Sequence, residues 1–416
     1  MDLPDVPQPL LSALKRAAGT RRCALVGGAV RDLLLHRHHE DPWRGLPDLD
    51  LVVEGRAVEL LQPFSAALQA ELGEVPELRV QEHGQFATLE LEVDLPPELG
   101  GTWLLDVASA RAETYPQPAQ NPQVRLGSLI DDLSRRDFSV NAIALQLGDG
   151  QLLDPHGGQR DLAARQLSFL HDASLRDDPT RLLRAARYCA RLGFSLSPAA
   201  MQQVQTTLAA WPWPWRPGDD PGQAPPALGT RLRMELELLL KREPWPEALS
   251  ALQSWGGLAL LDPGLQADRH WRRRLRWAQR LGVPLMPALI TGARDPLNLA
   301  ERLQVPHRQH LLLVQLNRLQ TRLKEAPALP QKPSSWCELL EAPGISSDSV
   351  ALAIASAVPQ WRFLLRWWLH WRHVRSPISA AELMKLENIK PGPELGRRLH
   401  QLRMQTLDQP RLRASS

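Results

Sequence analysis

Asp48 and Asp50 flank Leu49 at the head of Leu49–Val53, a run whose apolar, β-branched content marks a short strand. Alternate strand side chains share a face, so both carboxylates project together while Leu49 turns to the core. Two carboxylates side by side repel unless a cation lies between them. Two readings fit: an acidic turn entering a strand, or a Mg²⁺ site whose hard oxygen ligands activate a hydroxyl and neutralise a triphosphate. About twenty residues upstream, Leu25-Val26-Gly27-Gly28-Ala29-Val30-Arg31-Asp32 reads as strand, tight turn and helix. Glycines there let backbone N–H groups approach an anion at the positive end of a helix. The segment lacks the Lys-Ser/Thr of a Walker loop and the third Gly of a dinucleotide fingerprint. Next to the paired aspartates it suggests a phosphate cradle, with Gly27, Gly28 and Arg31 on the phosphates. Asp106 interrupts the apolar strand Trp103–Val107, which either a metal neighbour or an exposed strand end explains.

Two later clusters extend the list. Arg135-Arg136-Asp137-Phe138-Ser139-Val140-Asn141-Ala142 sets two cations, an acid and an amide around apolar residues. It reads either as a charge-paired helix start or as a nucleotide contact in which Arg136 and Asn141, with Asp137, reach the sugar and phosphates. Asp178 and Arg181 lie at i and i+3, a spacing that places them on one helical face. Such a pair is often a plain surface ion pair. It could also read a base: the carboxylate accepts from an exocyclic amine and the guanidinium donates to the adjacent ring nitrogen. Adenine and cytosine present that pattern, and guanine and uracil invert it. Arg184, Arg187 and Arg191 continue on an adjoining stripe, from which Arg184 and Arg187 are expected to reach the nucleotide. Asp154–Gly158 with Asp161 reads as a structural turn.

The elements that carry these residues fall into two regimes. From Arg22 to about Gly148, strands at Cys23–Val26, Leu49–Val53, Arg79–Val80, Phe86–Val93 and Trp103–Val107 alternate with helices at Ala29–Leu35 and Ala57–Leu72, which a mixed sheet with helices would satisfy. After Leu162 the apolar period is helical, over Thr180–Leu192, Pro198–Leu208, Thr230–Lys241, Pro246–Ser254, Trp271–Leu281, Gln309–Lys324, Ser347–Ala357, Gln360–Val374, Ala380–Leu386 and Pro393–Leu407. Trp211–Gly229 holds three Trp, six Pro and three Gly, so a loop is expected there. A second break is expected at Ala326–Ser335.

At 416 residues, 43% hydrophobic and 23% charged, the chain has room for two to four domains and excludes collagen, coiled coil and wholesale disorder. No apolar run is long enough for a bilayer, and Cys23, Cys189 and Cys337 make neither a disulfide framework nor a metal spacing. With Met1 followed by no basic, apolar leader, the cytosol is the expected compartment and no membrane partner is expected. The net charge of +3 hides an asymmetry. From Gln266 onward there are 24 Lys/Arg against 11 Asp/Glu, nearly all the cations being Arg, whose planar fork suits phosphate.

The ordered series GGAVRD, DLDLVVEG, LLDVASARAETYP, RRDFSVNAIAL, LLDPHGGQRDL and DDPTRLLRAARYCARLGF, over residues 22–194, resembles the class II tRNA nucleotidyltransferases and bacterial poly(A) polymerases of the DNA polymerase β superfamily. Thr230–Leu240 is similar to that family's basic-acidic helix, and Ile389–Glu394 through Leu407–Asp408 to its tail. The resemblance implies an α+β protein: a catalytic head of mixed sheet and helices (1–148), then an all-helical neck that recognises the base (149–210), a Pro/Trp-rich loop (211–229), an RNA-binding body (230–330) and a tRNA-binding tail (331–416), in a seahorse-like arrangement. It also implies Mg²⁺ on Asp48 and Asp50 and base choice by Asp178 and Arg181 without a template; Asp106, read from its place in the strand, is the candidate third catalytic acid. The partners it implies are the 3′ end and acceptor arm of tRNA, with ATP and CTP as substrates. The expected activity is addition of some or all of the 3′-terminal CCA with release of pyrophosphate; DLDLVVEG and DVASARAETYP look closer to the A-adding subgroup. Poly(A) synthesis and a non-catalytic RNA-binding protein are the alternatives.

Four features depart from the pattern or lie beyond it. Asp177 stands where the family commonly has Glu. Asp94–Gly101 reads as a hairpin insertion. His36–Glu40 with Asp41–Gly45 lengthens the step to the metal strand, and is expected to be an exposed loop rather than a metal site, since no acid or Cys partners its histidines. Finally, Trp361, Trp368 and Trp371 with Leu364 and Leu365 fit the buried side of a helix better than a base-stacking surface, leaving Arg362, Arg366, Arg372 and Arg375 for an RNA backbone.

Overall fold

The computed structural model describes residues 3–43, 45–46, 48–73, 77–83, 88–326 and 328–409. It divides into two compact units, Met1–Trp215 with Pro225–Gly257, and Arg216–Ala224 with Leu258–Ser416.

The first unit begins with helix α1 (Gln8–Ala18), strand β1 (Cys23–Val26) and helix α2 (Gly28–His39). Strand β2 (Leu49–Val53) and helix α3 (Leu61–Leu72) follow, then β3 (Glu77–His83), β4 (Thr88–Asp94) and β5 (Thr102–Ser109). Short strands β6 (Arg111–Thr114) and β7 (Gln123–Leu126) pair only with each other, and helix α4 (Leu129–Ser134) leads to β8 (Ala144–Gln146) and β9 (Leu152–Leu153). The main sheet runs β3-β4-β5-β2-β1-β8-β9, with β2 and β5 parallel and the other pairs antiparallel. The mixed sheet expected from the sequence is therefore present. In β4 the alternation is plain: Leu89, Leu91 and Val93 are buried while Glu90 is exposed. Phe86 and Ala87, expected to start that strand, lie outside the described residues. Asp94–Gly101 turns β4 into β5, as the hairpin reading required.

Three expectations need correction. The histidine segment is no loop: α2 runs on to His39, with His36 and His38 exposed on its last turn. Arg135–Ala142 does not begin a helix. Arg135 closes α4, Phe138 is extended, and Ser139–Asn141 makes one 3₁₀ turn. Ala57–Leu72 is broken into a 3₁₀ turn at Ala57–Leu60 and then α3.

The Asp154 turn feeds helix α5 (Gly158–Ala163), with Asp154 accepting from the Gly158 and Gln159 amides at 2.6 and 2.9 Å. Gly158 packs where no side chain fits: a Cβ would strike the Ser139 carbonyl oxygen and reach Ile143 Cγ1 at 2.7 Å. Gly158→Ala should cost about 1–3 kcal/mol through overpacking, read as a lower urea midpoint at unchanged slope. After α5 come helices α6 (Ser174–Asp177), α7 (Thr180–Leu192), α8 (Pro198–Ala210), α9 (Thr230–Arg242) and α10 (Trp245–Ser254). Of the Trp/Pro-rich segment, Trp213 and Trp215 are buried in this unit, and the Trp213 indole donates to the Arg176 carbonyl at 3.0 Å.

The second unit is helical: α11 (Pro263–Ala267), α12 (Trp271–Arg280), α13 (Leu285–Ile290), α14 (Pro296–Arg302), α15 (His307–Glu325), α16 (Pro333–Leu340), α17 (Ser347–Ala355), α18 (Trp361–Leu369), α19 (Ala380–Glu387) and α20 (Pro393–Asp408). Its core gathers Leu275, Leu289, Leu313, Leu319, Trp336 and all of Val350–Ile354. The expected helix Gln360–Val374 breaks at His370 (φ −129°, ψ −61°). Its buried side is Leu364 and Trp367, not Trp361 and Trp368, and Trp371 falls beyond the break; the Trp367 indole donates to Glu341 at 3.0 Å. No helix among the described residues is long and apolar enough to cross a membrane.

Candidate active site

The diglycine turn sits where β1 ends. Gly27 takes φ 70°, and a Cβ there would lie 3.3 Å from both Arg136 Nη1 and Asp50 Oδ2, so the turn requires glycine for conformation and for space. The backbone then starts α2 with its N–H groups unpaired by the helix. On β2, Leu49 is buried and Asp48 and Asp50 share the opposite face. The parallel register sets Asp50 directly beside Asp106 of β5. One carboxylate oxygen from each of Asp48, Asp50 and Asp106 lies within 4.8 Å of the others. Burial, reinforced by Asp48 and Asp106 against the opposing Arg136, pushes the Asp50 carboxyl up to about 6. Three hard oxygen donors under mutual repulsion are a donor set that a divalent cation fits.

This cluster adjoins a polar cavity of about 510 Å³ lined by Gly27, Gly28, Asp50, Arg136, Asp137, Asn141, Asp178, Arg181 and Arg184. Nine residues singled out in the sequence thus meet in one place. Asp137 is buried and accepts from the Phe138 amide (2.9 Å), Asn141 Nδ2 (3.0 Å) and Arg184 (2.7 Å). Arg136 gives Nη2 to Asp132 at 3.0 Å, while its buried Nε has no partner.

Arg31 and Arg187 lie outside the cavity lining. The Arg31 guanidinium is spent on Asp32 (2.8 and 3.1 Å) and on Asn141 Oδ1 (2.9 Å), and it stacks over Tyr188. Arg187 joins Glu235 and Glu243, and with Arg184–Glu235 and Arg191–Glu243 it ties α7 to α9 and the residue after it.

Asp178 and Arg181 both line the cavity but do not share a helical face. Asp178 precedes Pro179, whose ring disfavours the α region for the residue before it, and it is extended (φ −140°, ψ 93°). Its Oδ1 accepts from the Thr180 amide and hydroxyl at 3.1 and 2.6 Å. Arg181 donates to the Ser174 and Arg135 carbonyls at 3.4 and 3.0 Å.

Sequence reasoning passed over Arg111, Glu113 and Tyr115, which also line the cavity. Their spacing of two along β6 and its end was the available signal. Burial, with Asp178 and Glu113 nearby, pushes the Tyr115 phenol up to about 12, so it stays neutral. Arg231, Met234 and Glu235 of α9 were passed over too, although i, i+3 and i+4 mark one helical face.

Residues 23–168 match the Poly A polymerase head domain. Over 316 residues, 73% of this chain and 72% of the relative, the sequence is 40% identical to the CC-adding tRNA nucleotidyltransferase of Deinococcus radiodurans. The chain belongs to the tRNA nucleotidyltransferase family. An A-adding tRNA nucleotidyltransferase of Aquifex aeolicus is 34% identical over 248 residues, 59% of this chain but only 26% of that relative. A solved CCA-adding enzyme in apo form II has the same fold, with TM-score 0.70 at 22% identity, covering 97% of this chain and 92% of that one. As a nucleotidyltransferase the protein combines the mixed-sheet head and helical remainder that the sequence motifs implied.

Proposed function

We infer that this nucleotidyltransferase extends the 3′ end of tRNA in the cytosol, adding terminal nucleotides of CCA from CTP or ATP and releasing pyrophosphate. The observation that supports this reading is that Asp50, one of a cluster of three carboxylates with Asp48 and Asp106, lines the same cavity as Asp178 and Arg181, which would put the chemistry and the base choice in one pocket. Asp48, Asp50 and Asp106 would hold Mg²⁺, which supplies charge neutralisation of the triphosphate and a lowered pKa for the attacking hydroxyl. The Gly27–Gly28 backbone amides and the Arg136 guanidinium bind phosphate oxygens and hold the nucleotide in line with the primer. Asp137 fixes Asn141 and Arg184 from behind. Asp178 accepts the exocyclic amine of the base, and Arg181 donates to the ring nitrogen.

Within the family, the share we assign to this enzyme is the CC step. The motifs around Asp48 and Asp106 lean toward A addition, but the CC-adding relative matches over 72% of its own length and the A-adding one over 26%. The test supplies tRNA ending in no C, one C or two C with each labelled nucleotide separately. Two cytidines on the first and one on the second, with no addition to the third, supports the CC share. Adenosine added to tRNA ending in two C overturns it, and processive adenylation of unrelated RNA overturns the tRNA reading in favour of poly(A) synthesis.

Basic α12 offers the tRNA backbone a surface, with Arg272, Arg273, Arg276 and Arg280 all exposed. Replacing Arg273 and Arg276 by Gln should weaken tRNA binding and flatten the slope of log affinity against log salt by about 2, with the CTP affinity of the free enzyme unchanged.

A further inference from the structure

Asp178 is not a free acceptor. Both lone pairs of its Oδ1 are taken, by the Thr180 amide and hydroxyl. Its Oδ2 is held by Arg231 Nη2, which arrives from the first turn of α9. A carboxylate offers about four acceptor directions, so roughly one remains, on the oxygen that Arg231 holds. The direction of that last lone pair is therefore set by Arg231. The guanidinium also has capacity in reserve, because Arg231 Nη1 is buried without a partner.

A purely architectural role for Arg231 would be superfluous. The packing of α9 on α7 already has Arg184 and Arg187 on Glu235, and Arg187 and Arg191 on Glu243. Arg231 stands apart from that clamp and pairs with Asp178, a carboxylate of the cavity lining.

We propose that Arg231 is a specificity-determining positioning residue, acting through Asp178 to limit it to a single acceptor aimed at an exocyclic amine. The inference rests on the nucleotidyl-transfer reading above. Cytosine and adenine offer an amine at that position, whereas uracil and guanine offer a carbonyl oxygen there and a ring N–H beside it. With Arg231 removed, Asp178 Oδ2 regains a second acceptor direction and can turn to take that ring N–H. The Asp178 share of the cost that excludes uracil and guanine, an unpaired buried acceptor facing a carbonyl, is then relieved, while the Arg181 donor still opposes the ring N–H.

The experiment measures kcat/KM for CTP, ATP, UTP and GTP on a tRNA primer, and equilibrium binding of CTP and UTP to the free enzyme, for the wild type, Arg231→Ala, Arg231→Gln and Arg231→Lys. Expected results are a fall of about tenfold or more in the C-to-U ratio for R231A and R231Q, a loss of about threefold for R231K, and unchanged inhibition by pyrophosphate in all three. Each ratio is internal to one preparation, so partial misfolding cancels, and R231K keeps the charge should the smaller side chains unfold the site. A uniform drop for all four nucleotides, with the ratio intact, overturns the proposal and leaves Arg231 an anchor. A wild type that transfers nothing to tRNA overturns the function reading instead, and the C-to-U binding ratio then still decides the role of Arg231.

Discussion

Asp50→Asn should lower kcat/KM for nucleotide addition by on the order of 10³-fold while leaving the metal-free protein at least as heat-stable as the wild type. The amide keeps the shape of the side chain against Gly27 and the register beside Asp106, so what is lost is charge. On the proposed reading, catalysis needs that charge to hold the cation. Folding does not, because burial and the neighbouring Asp48 and Asp106 make the ionised form of Asp50 costly, which is what a carboxyl raised to about 6 means. Since the folded value lies above the ordinary one near 4, the contribution of Asp50 to stability is whole at acid pH and is lost as pH rises through about 6. The stability advantage of D50N without added metal should therefore appear at pH 7.5 and vanish toward pH 4.5. Thermal melts at the two pH values with EDTA check this. A D50N variant that melts well below the wild type at pH 7.5 would assign Asp50 a structural role instead.

The head of this site was legible in the sequence because its chemistry is packed into short local patterns. Asp48 and Asp50 lie two apart on a strand, and Gly27–Gly28 sits between a strand and a helix; such local spacings survive folding unchanged. What was illegible is of two kinds. One is the effect of a single neighbour on backbone geometry: Pro179 takes Asp178 out of the helix, so the i, i+3 argument for a shared face with Arg181 fails although both residues reach the cavity. The other is long-range pairing. Arg231 meets Asp178, and Glu235 meets Arg184 and Arg187, across some fifty positions, and no local period encodes which of many cations and acids will find one another. The same blindness hid the pairing of Arg31 with Asn141, more than a hundred positions away. In the second unit the helical period located α12, α15, α17 and α20 to within about two residues. It misplaced the buried face of α18, where Leu364 and Trp367 are buried and the Trp367 indole donates to Glu341.

Long-range pairing also sets the largest stability effect expected at the site, for Asp137→Ala. Asp137 is buried and accepts from the Phe138 amide, Asn141 and Arg184. Burial alone would raise its carboxyl, but the Arg184 guanidinium and the Asn141 amide outweigh that and hold it below the ordinary carboxylate range. Alanine leaves Arg184 with Glu235 alone, at 3.1 Å, and leaves the Asn141 amide nitrogen without its acceptor. Removing one partner of a buried charge pair costs roughly 3–5 kcal/mol, and the surviving Glu235 contact argues for about 3. Because the folded carboxyl lies below its unfolded value, this contribution is whole above about pH 4 and is lost only as pH falls through the folded value. The urea midpoint of D137A should thus fall by the same amount at pH 5.5, 7 and 8. The loss should reach the cavity as well, because Asn141 is oriented by Asp137 on one side and by Arg31 on the other. Loosening it should raise KM for CTP more than it lowers kcat. D137N, which keeps an oxygen for the Phe138 amide and gives up the charge opposite Arg184, should fall between the wild type and D137A in stability. Equal stability of D137N and the wild type would show that the oxygen, rather than the charge, is what the network requires of Asp137.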